Sequence, residues 1–240
     1  MTAVCVYCAS SDGIAERHLT LAAEVGRQVA ARGWTLVSGG GSKSMMGAVA
    51  AAARAGGAHT IGVIPRSMVE REWADHASDE LLVVDSMRER KAQMEARADA
   101  FLALPGGLGT CEELFEIWTS GYLRLHAKPV VLLDPDGHWA GLLAWVRDLA
   151  AQGFVGADAL RRLVVTTDVA AALDACVAPV PGDGRTPEQA TWVDPRDGQT
   201  AEPAGWVDPG DGQTAEPAEQ ARWVDPGDGG LRSVRSRRGG

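Results

Sequence analysis

The sequence predicts an α/β protein built on a doubly wound parallel sheet, with helices covering both faces. Three observations point there. Short apolar runs alternate with stretches of helical periodicity from the first residues to about residue 177. The runs are apolar throughout rather than every second residue, as strands buried on both faces require. Two of them run straight into glycine-rich turns, Gly39-Gly40-Gly41 and Gly106-Gly107-Leu108-Gly109, each followed by a helical stretch. With right-handed crossovers, such turns gather at the carboxyl ends of the strands, where ligands bind.

The elements follow in order. Ala3 to Cys8 reads as a first buried strand, and Ala9-Ser10-Ser11-Asp12-Gly13 as a small-residue loop before a helix. Leu19, Ala22, Val25, Gly26 and Val29 supply that helix's apolar face, and Gly33 suits its C-terminal cap. Trp34 to Ser38 is a second strand, followed by the turn Gly39 to Gly47 and an alanine-rich helix to Ala55. A third strand, His59 to Ile64, is expected to stop at Pro65. The charged segment Arg66 to Glu80 reads as a solvated loop and Leu81 to Val84 as a short strand. Ser86 opens a helix to about Ala98, with Ser86 and Glu89 at capping-box spacing. Arg90 and Lys91 fall near the start of this helix, where cations oppose the macrodipole. The conflict costs up to about 1 kcal/mol unless an anion lies nearby, and so hints at a ligand.

Ala100 to Leu104 is the strand that leads into the stretch around which the chain is organised, Leu104-Pro105-Gly106-Gly107-Leu108-Gly109-Thr110-Cys111-Glu112-Glu113. Glycines without a Cβ let a ligand approach the backbone, and the N–H groups of the next helix's first turn make an anion site, a phosphate being the obvious guest. Thr110 and Glu113 are also spaced as a capping box, which taken alone gives Glu113 a structural job. Pro129 to Leu133 is a further strand, closed by Asp134-Pro135-Asp136-Gly137. A helix through Leu142 to Leu149, the strand Leu163 to Thr166 and a helix from Asp168 to about Val177 complete the pattern.

Of the 240 residues, 45% are hydrophobic, enough for one sizeable domain, placed at residues 1–178. The formal net charge of −9 argues against binding to nucleic acid or anionic membranes, which needs a basic surface. The N-terminus lacks a basic region followed by a long apolar stretch, and no run approaches the roughly 18 to 20 apolar residues of a membrane span. A soluble cytoplasmic protein is expected. Cys5 and Cys8 form a C-x-x-C, but on a strand a spacing of three puts the thiols on opposite faces, so no metal or disulfide site is expected. From residue 179 to 240 the character changes. Trp192-Val193-Asp194-Pro195-Arg196-Asp197-Gly198-Gln199-Thr200-Ala201-Glu202-Pro203 recurs almost unchanged from Trp206 to Pro217 and begins again at Trp223. Rich in Pro, Gly and Asp, this repeat tail is expected to be disordered.

Pro105-Gly106-Gly107-Leu108-Gly109-Thr110-Cys111-Glu112-Glu113 resembles the P-G-G-x-G-T-x-x-E signature of the LONELY GUY family, the cytokinin-activating phosphoribohydrolases. Met87-Arg88-Glu89-Arg90-Lys91 resembles that family's M-x-x-R-K element, and Val4 to Ser11 its opening strand and loop. The resemblance implies a Rossmann-like fold, a homodimer or larger assembly, and hydrolysis of the N-glycosidic bond of N6-modified adenosine 5'-monophosphates to free base and ribose 5-phosphate. By motif position it implies Arg90 and Glu113 as the catalytic pair. Lys91, Gly106, Gly107, Gly109, Thr110 and Glu112 would surround the nucleotide, with Glu72, Thr119, Ser10, Gly40 and Gly41 as further contacts. No metal or redox cofactor is implied. One departure is Ser44-Met45-Met46-Gly47, where many members have G-L-M-G; another is Cys111, commonly an aliphatic position.

Three rival readings have their own discriminators. A non-catalytic nucleotide or molybdenum-cofactor carrier would not need Arg90 and Glu113 together. A pyridoxal-dependent lysine decarboxylase has only Lys43, Lys91 and Lys128 for a Schiff base. A general AMP nucleosidase differs only in the pocket around N6, which spacing does not reveal.

Overall fold

The computed structural model describes residues 1–69 and 73–180. Seven strands form one parallel sheet: β1 (Ala3–Tyr7), β2 (Thr35–Ser38), β3 (Thr60–Pro65), β4 (Glu80–Val84), β5 (Ala100–Ala103), β6 (Val130–Leu133) and β7 (Leu163–Thr166). Their order is β4-β3-β2-β1-β5-β6-β7. The helices between them are α1 (Glu16–Ala31), α2 (Ser44–Ala55), α3 (Arg66–Val69), α4 (Met87–Ala96), α5 (Leu108–Tyr122), α6 (Ala140–Ala151), α7 (Ala157–Arg161) and α8 (Val169–Ala175). This is the Rossmann-like, doubly wound α/β arrangement that the alternation of apolar runs and helices predicts.

Each central strand is buried on both faces, which explains its unbroken apolar sequence. In β1, Val4, Val6 and the following Cys8 enter the core beneath α1, α2 and α8. Cys5 and Tyr7 enter the opposite core beneath α4, α5 and α6. The two thiols therefore lie on different faces, and burial pushes the pKa of each upward.

The chain changes winding direction at β1, which pairs with β2 on one side and β5 on the other. Such a reversal opens a crevice at the carboxyl ends of the two strands. Here the loops after β1 and β5 are tied together: the Leu104 N–H donates to Tyr7 O at 2.8 Å and the Ala9 N–H to Pro105 O at 3.2 Å. The pairing brings the Ser10 loop alongside the Gly106 turn.

Three local expectations are corrected. β3 continues through Pro65, which pairs with Val84; at the last position of a strand a missing N–H costs the ladder least. Arg66–Val69, read as loop, is the single turn α3, and α7 was not expected. Both are too short for periodicity to register. The repeat tail lies outside the described residues from 181 onward, as do Glu70, Arg71 and Glu72. Among the described residues no helix is long and apolar enough to cross a membrane.

Candidate active site

Two helix starts converge beside the crevice. α4 is opened by Ser86, whose Oγ accepts from the Glu89 N–H at 3.1 Å, while Glu89 Oε2 accepts from the Asp85 N–H at 3.0 Å. The serine half of the box forms at the spacing read from the sequence, with the carboxylate bonding one residue further back than the N-cap. One turn on, the helix delivers Arg90 into the interior, where only 6% of the residue remains exposed. Arg90 Nε donates to Val63 O at 3.1 Å, which anchors the guanidinium to the end of β3.

The second start departs from expectation. α5 begins at Leu108, with Gly107 as its N-cap and no side-chain cap. Thr110 is thus the third helical residue, and the Thr110–Glu113 capping box does not form. The glycines start the helix earlier than a threonine cap would, so Glu113 has no capping role and is buried, 8% exposed. Its Oε1 lies 3.8 Å from Arg90 Nη1.

Burial raises the Glu113 carboxyl to about 7; Arg90 pulls it down, Glu112 pushes it up, Lys91 lowers it and Glu116 raises it. A carboxyl poised near neutrality beside a permanent cation suits general acid or base chemistry. Beside this pair, Lys91 forms ion pairs with both Glu112 and Glu116. Burial would lower the Lys91 pKa, but its bonds to the two carboxylates outweigh that and raise it.

The Gly106 turn is closely packed. A Cβ on Gly106 would stand 2.1 Å from Thr110 Oγ1 and 2.5 Å from Thr110 Cβ, so only glycine lets the turn lie on the buried threonine. Gly107 and Gly109 are exposed on the same turn. The first N–H groups of α5 have no intrahelical partner, as at any helix start, and make an anion site.

The other expected residues are placed less uniformly. Ser10 is exposed in the loop after β1. Gly40, at φ +69°, and Gly41 direct their N–H groups to Ser38 Oγ at 3.3 Å and Met46 Sδ at 3.1 Å. Their carbonyl side is joined to the segment after residue 72: the Asp75 N–H donates to Gly40 O at 2.8 Å, and Gly41 bridges Ala74. Buried Asp75 is in turn held by Arg54 at 2.6 Å. Thr119 is exposed and lies about 9 Å along α5 from Glu113 and rotated by about 120°. It lines an apolar pocket with Phe115, Trp118, Tyr122, Trp145 and Phe154. Glu72 lies outside the described residues.

Two contributors escaped the sequence reading. Gly39, adjacent to the two glycines named, is the one that borders Arg90. His138 follows the turn after β6, and its Nε2 touches the backbone of Gly106. A histidine just past a strand's carboxyl end was the available signal for the latter. Cys111 is half-buried against the core, with burial raising its thiol pKa, and is a packing residue.

Comparison with known proteins gives a consistent set of likenesses. The family model described as "Possible lysine decarboxylase" matches residues 46–176. The cytokinin riboside 5'-monophosphate phosphoribohydrolase of Mycobacterium tuberculosis is 58% identical over 173 residues, covering 72% of this chain and 92% of the relative. The phosphoribohydrolase LOG of Oryza sativa subsp. japonica is 44% identical over 167 residues, covering 70% of this chain and 69% of the relative. Among solved structures, the molybdenum cofactor carrier protein of Chlamydomonas reinhardtii superposes with a TM-score of 0.56 at 27% identity, covering 72% of this chain and 94% of its own. The molybdenum cofactor binding protein of Rippkaea orientalis, at 20% identity and a TM-score of 0.55 over 72% of this chain and 93% of its own, shares the fold.

Proposed function

The chain belongs to the cytokinin riboside 5'-monophosphate phosphoribohydrolase family, and on that premise we propose how its site divides the work of hydrolysing the N-glycosidic bond. The enzyme is an N-glycosyl hydrolase that releases the free base and ribose 5-phosphate. Cleaving a ribosyl C–N bond passes through an oxocarbenium-like state, which a nearby carboxylate stabilises while it orients or deprotonates the attacking water. Glu113 takes that role. Arg90, permanently charged and pinned to Val63 O, supplies hydrogen bonds to the charge developing on the substrate. The turn Gly106, Gly107, Gly109 and Thr110 holds the 5'-phosphate and so positions the ribose for attack. Lys91 and Glu112 flank the nucleotide, with Ser10, Gly40, Gly41 and Glu72 as further contacts, while Thr119 faces the aromatic pocket.

The observation that carries this reading is the buried Arg90–Glu113 pair, brought from two different helices to 3.8 Å. A carrier needs no such pair. Nor does the site suit a Schiff-base lysine, which requires a depressed pKa, whereas Lys91 is raised by Glu112 and Glu116. The test is product chromatography with AMP, its deoxy analogue and N6-prenylated AMP side by side. Free base and ribose 5-phosphate should appear together, fastest from the prenylated substrate; a protein that binds these nucleotides without releasing base is a carrier.

The reading includes a homodimer in the cytoplasm. What supports the dimer is the aromatic surface of α5, α6 and α7, where Trp145 is 52% and Phe154 77% exposed. A second copy covering this surface would also bury Thr119. Light scattering on the purified protein decides the assembly.

A further inference from the structure

His138 meets Gly106 in a way that one imidazole nitrogen cannot fully satisfy. Its Nε2 lies 2.9 Å from Gly106 O and 3.2 Å from Gly106 N. Carrying a proton, Nε2 donates to the carbonyl; bare, it accepts from the amide N–H. It cannot do both. Gly106 also packs closely against Thr110, so the ring and the threonine both border the first residue of the turn assigned to the phosphate.

We propose that His138 is a positioning residue of the phosphate cradle, whose Nε2 hydrogen decides whether the Gly106 N–H is tied to the ring or free for the substrate's phosphate. The inference rests on the reading of the Gly106 turn as the phosphate site. With the hydrogen on Nε2, the ring donates to Gly106 O and the neighbouring N–H is released. Phosphate binding to that N–H and donation from Nε2 to the carbonyl favour the same state.

The groups around the ring are few. From α1, His18 packs edge-on at a centroid distance of 6.0 Å. Arg17, also on α1, pairs with Asp136 of His138's own loop at 3.2 Å. Buried Asp134 accepts from the Trp139 N–H at 3.2 Å, and the Trp139 ring stands edge-on to His138 at 4.8 Å. Burial lowers the pKa of His18, Arg17 and His138 lower it further, and Asp136 opposes them.

The test is calorimetric titration of ribose 5-phosphate into the full-length protein, for wild type, His138→Gln and His138→Ala. Exposed His138 tolerates both replacements, and circular dichroism checks this. His138→Gln, which can donate to Gly106 O through its amide N–H, should retain affinity within about threefold. His138→Ala should bind up to about tenfold more weakly, the equivalent of one lost hydrogen bond. Equal affinity in all three proteins, or a loss in His138→Gln as large as in His138→Ala, would overturn the role of His138 and leave the phosphate site standing. Failure of ribose 5-phosphate to bind wild type at all would remove the phosphate reading, and this inference with it.

Discussion

Gly39 makes room for Arg90: a Cβ on this glycine would stand 1.7 Å from the guanidinium Nη2 and 2.8 Å from Cζ. The two residues come from different strand-to-helix units, yet the turn after β2 forms part of the wall against which the Arg90 guanidinium rests.

Gly39→Ala should therefore separate stability from activity. The atom it displaces is the far end of a flexible side chain, so the fold should lose no more than about 1 kcal/mol, within the range of ordinary substitutions. The guanidinium must leave its place beside Glu113, and kcat should fall by about 100-fold, comparable to losing one electrostatic donor. Denaturant unfolding alongside kinetics checks both; a variant with wild-type turnover would show that Arg90 works from elsewhere.

Glu113→Gln should cost activity and add stability above neutrality. The carboxyl is raised from 4.5 to about 7 in the folded protein, so folding favours its protonated form. That contribution is fully present below the unfolded value and is lost as pH rises from 4.5 through about 7, where the buried carboxylate becomes a liability. Glutamine mimics the neutral acid, so at pH 8 the variant should be up to about 3 kcal/mol more stable than wild type, and about equal to it at pH 4. Activity should drop by about 100- to 10,000-fold, the usual worth of a general base. The wild-type rate should rise with pH through about 7, and that limb should be missing from the variant's residual activity.

Gly106→Ala is the contrary case. Its new Cβ would meet Thr110 at Oγ1, Cβ and Cγ2, all within 2.8 Å, and this buried β-branched side chain has no free end to swing away. Loss of about 1 to 3 kcal/mol is expected from the overpacking, together with weakened binding of ribose 5-phosphate. Thermal unfolding and calorimetry read the two effects.

Ser44→Gly should stabilise the fold. Ser44 sits at φ +53°, in the left-handed region, and its Oγ is buried without a hydrogen-bond partner. This is the position at which many family members carry glycine. Relief of both penalties should be worth about 1 kcal/mol after the glycine's extra unfolded-state entropy is subtracted, visible as a higher Tm. No gain would indicate that the serine hydroxyl compensates within the turn.

Much of this was readable before the structure. The strand pattern and the two glycine turns specified a parallel sheet with those turns at its carboxyl edge. The C-x-x-C spacing placed Cys5 and Cys8 on opposite faces, and Ser86 with Glu89 marked the start of α4 correctly. The same rule misread Thr110 and Glu113, because a capping box is a statement about spacing, and Gly107 can begin a helix without any side chain. Thr119 follows Glu113 on the same helix, but helical rotation turns it toward the aromatic pocket.

What the sequence determined by itself is local: which runs are strand, which longer stretches are helix, and which glycine turns join them. Hydrophobic period and turn composition act over a few residues, and they leave their mark in any short window. Only the tertiary structure decided that Arg90 meets Glu113, that Gly39 shapes the arginine's seat, and that His138 rests on Gly106. These neighbours come from separate crossovers, and the order in which the strands lie side by side, rather than any pattern within them, brings the loops together.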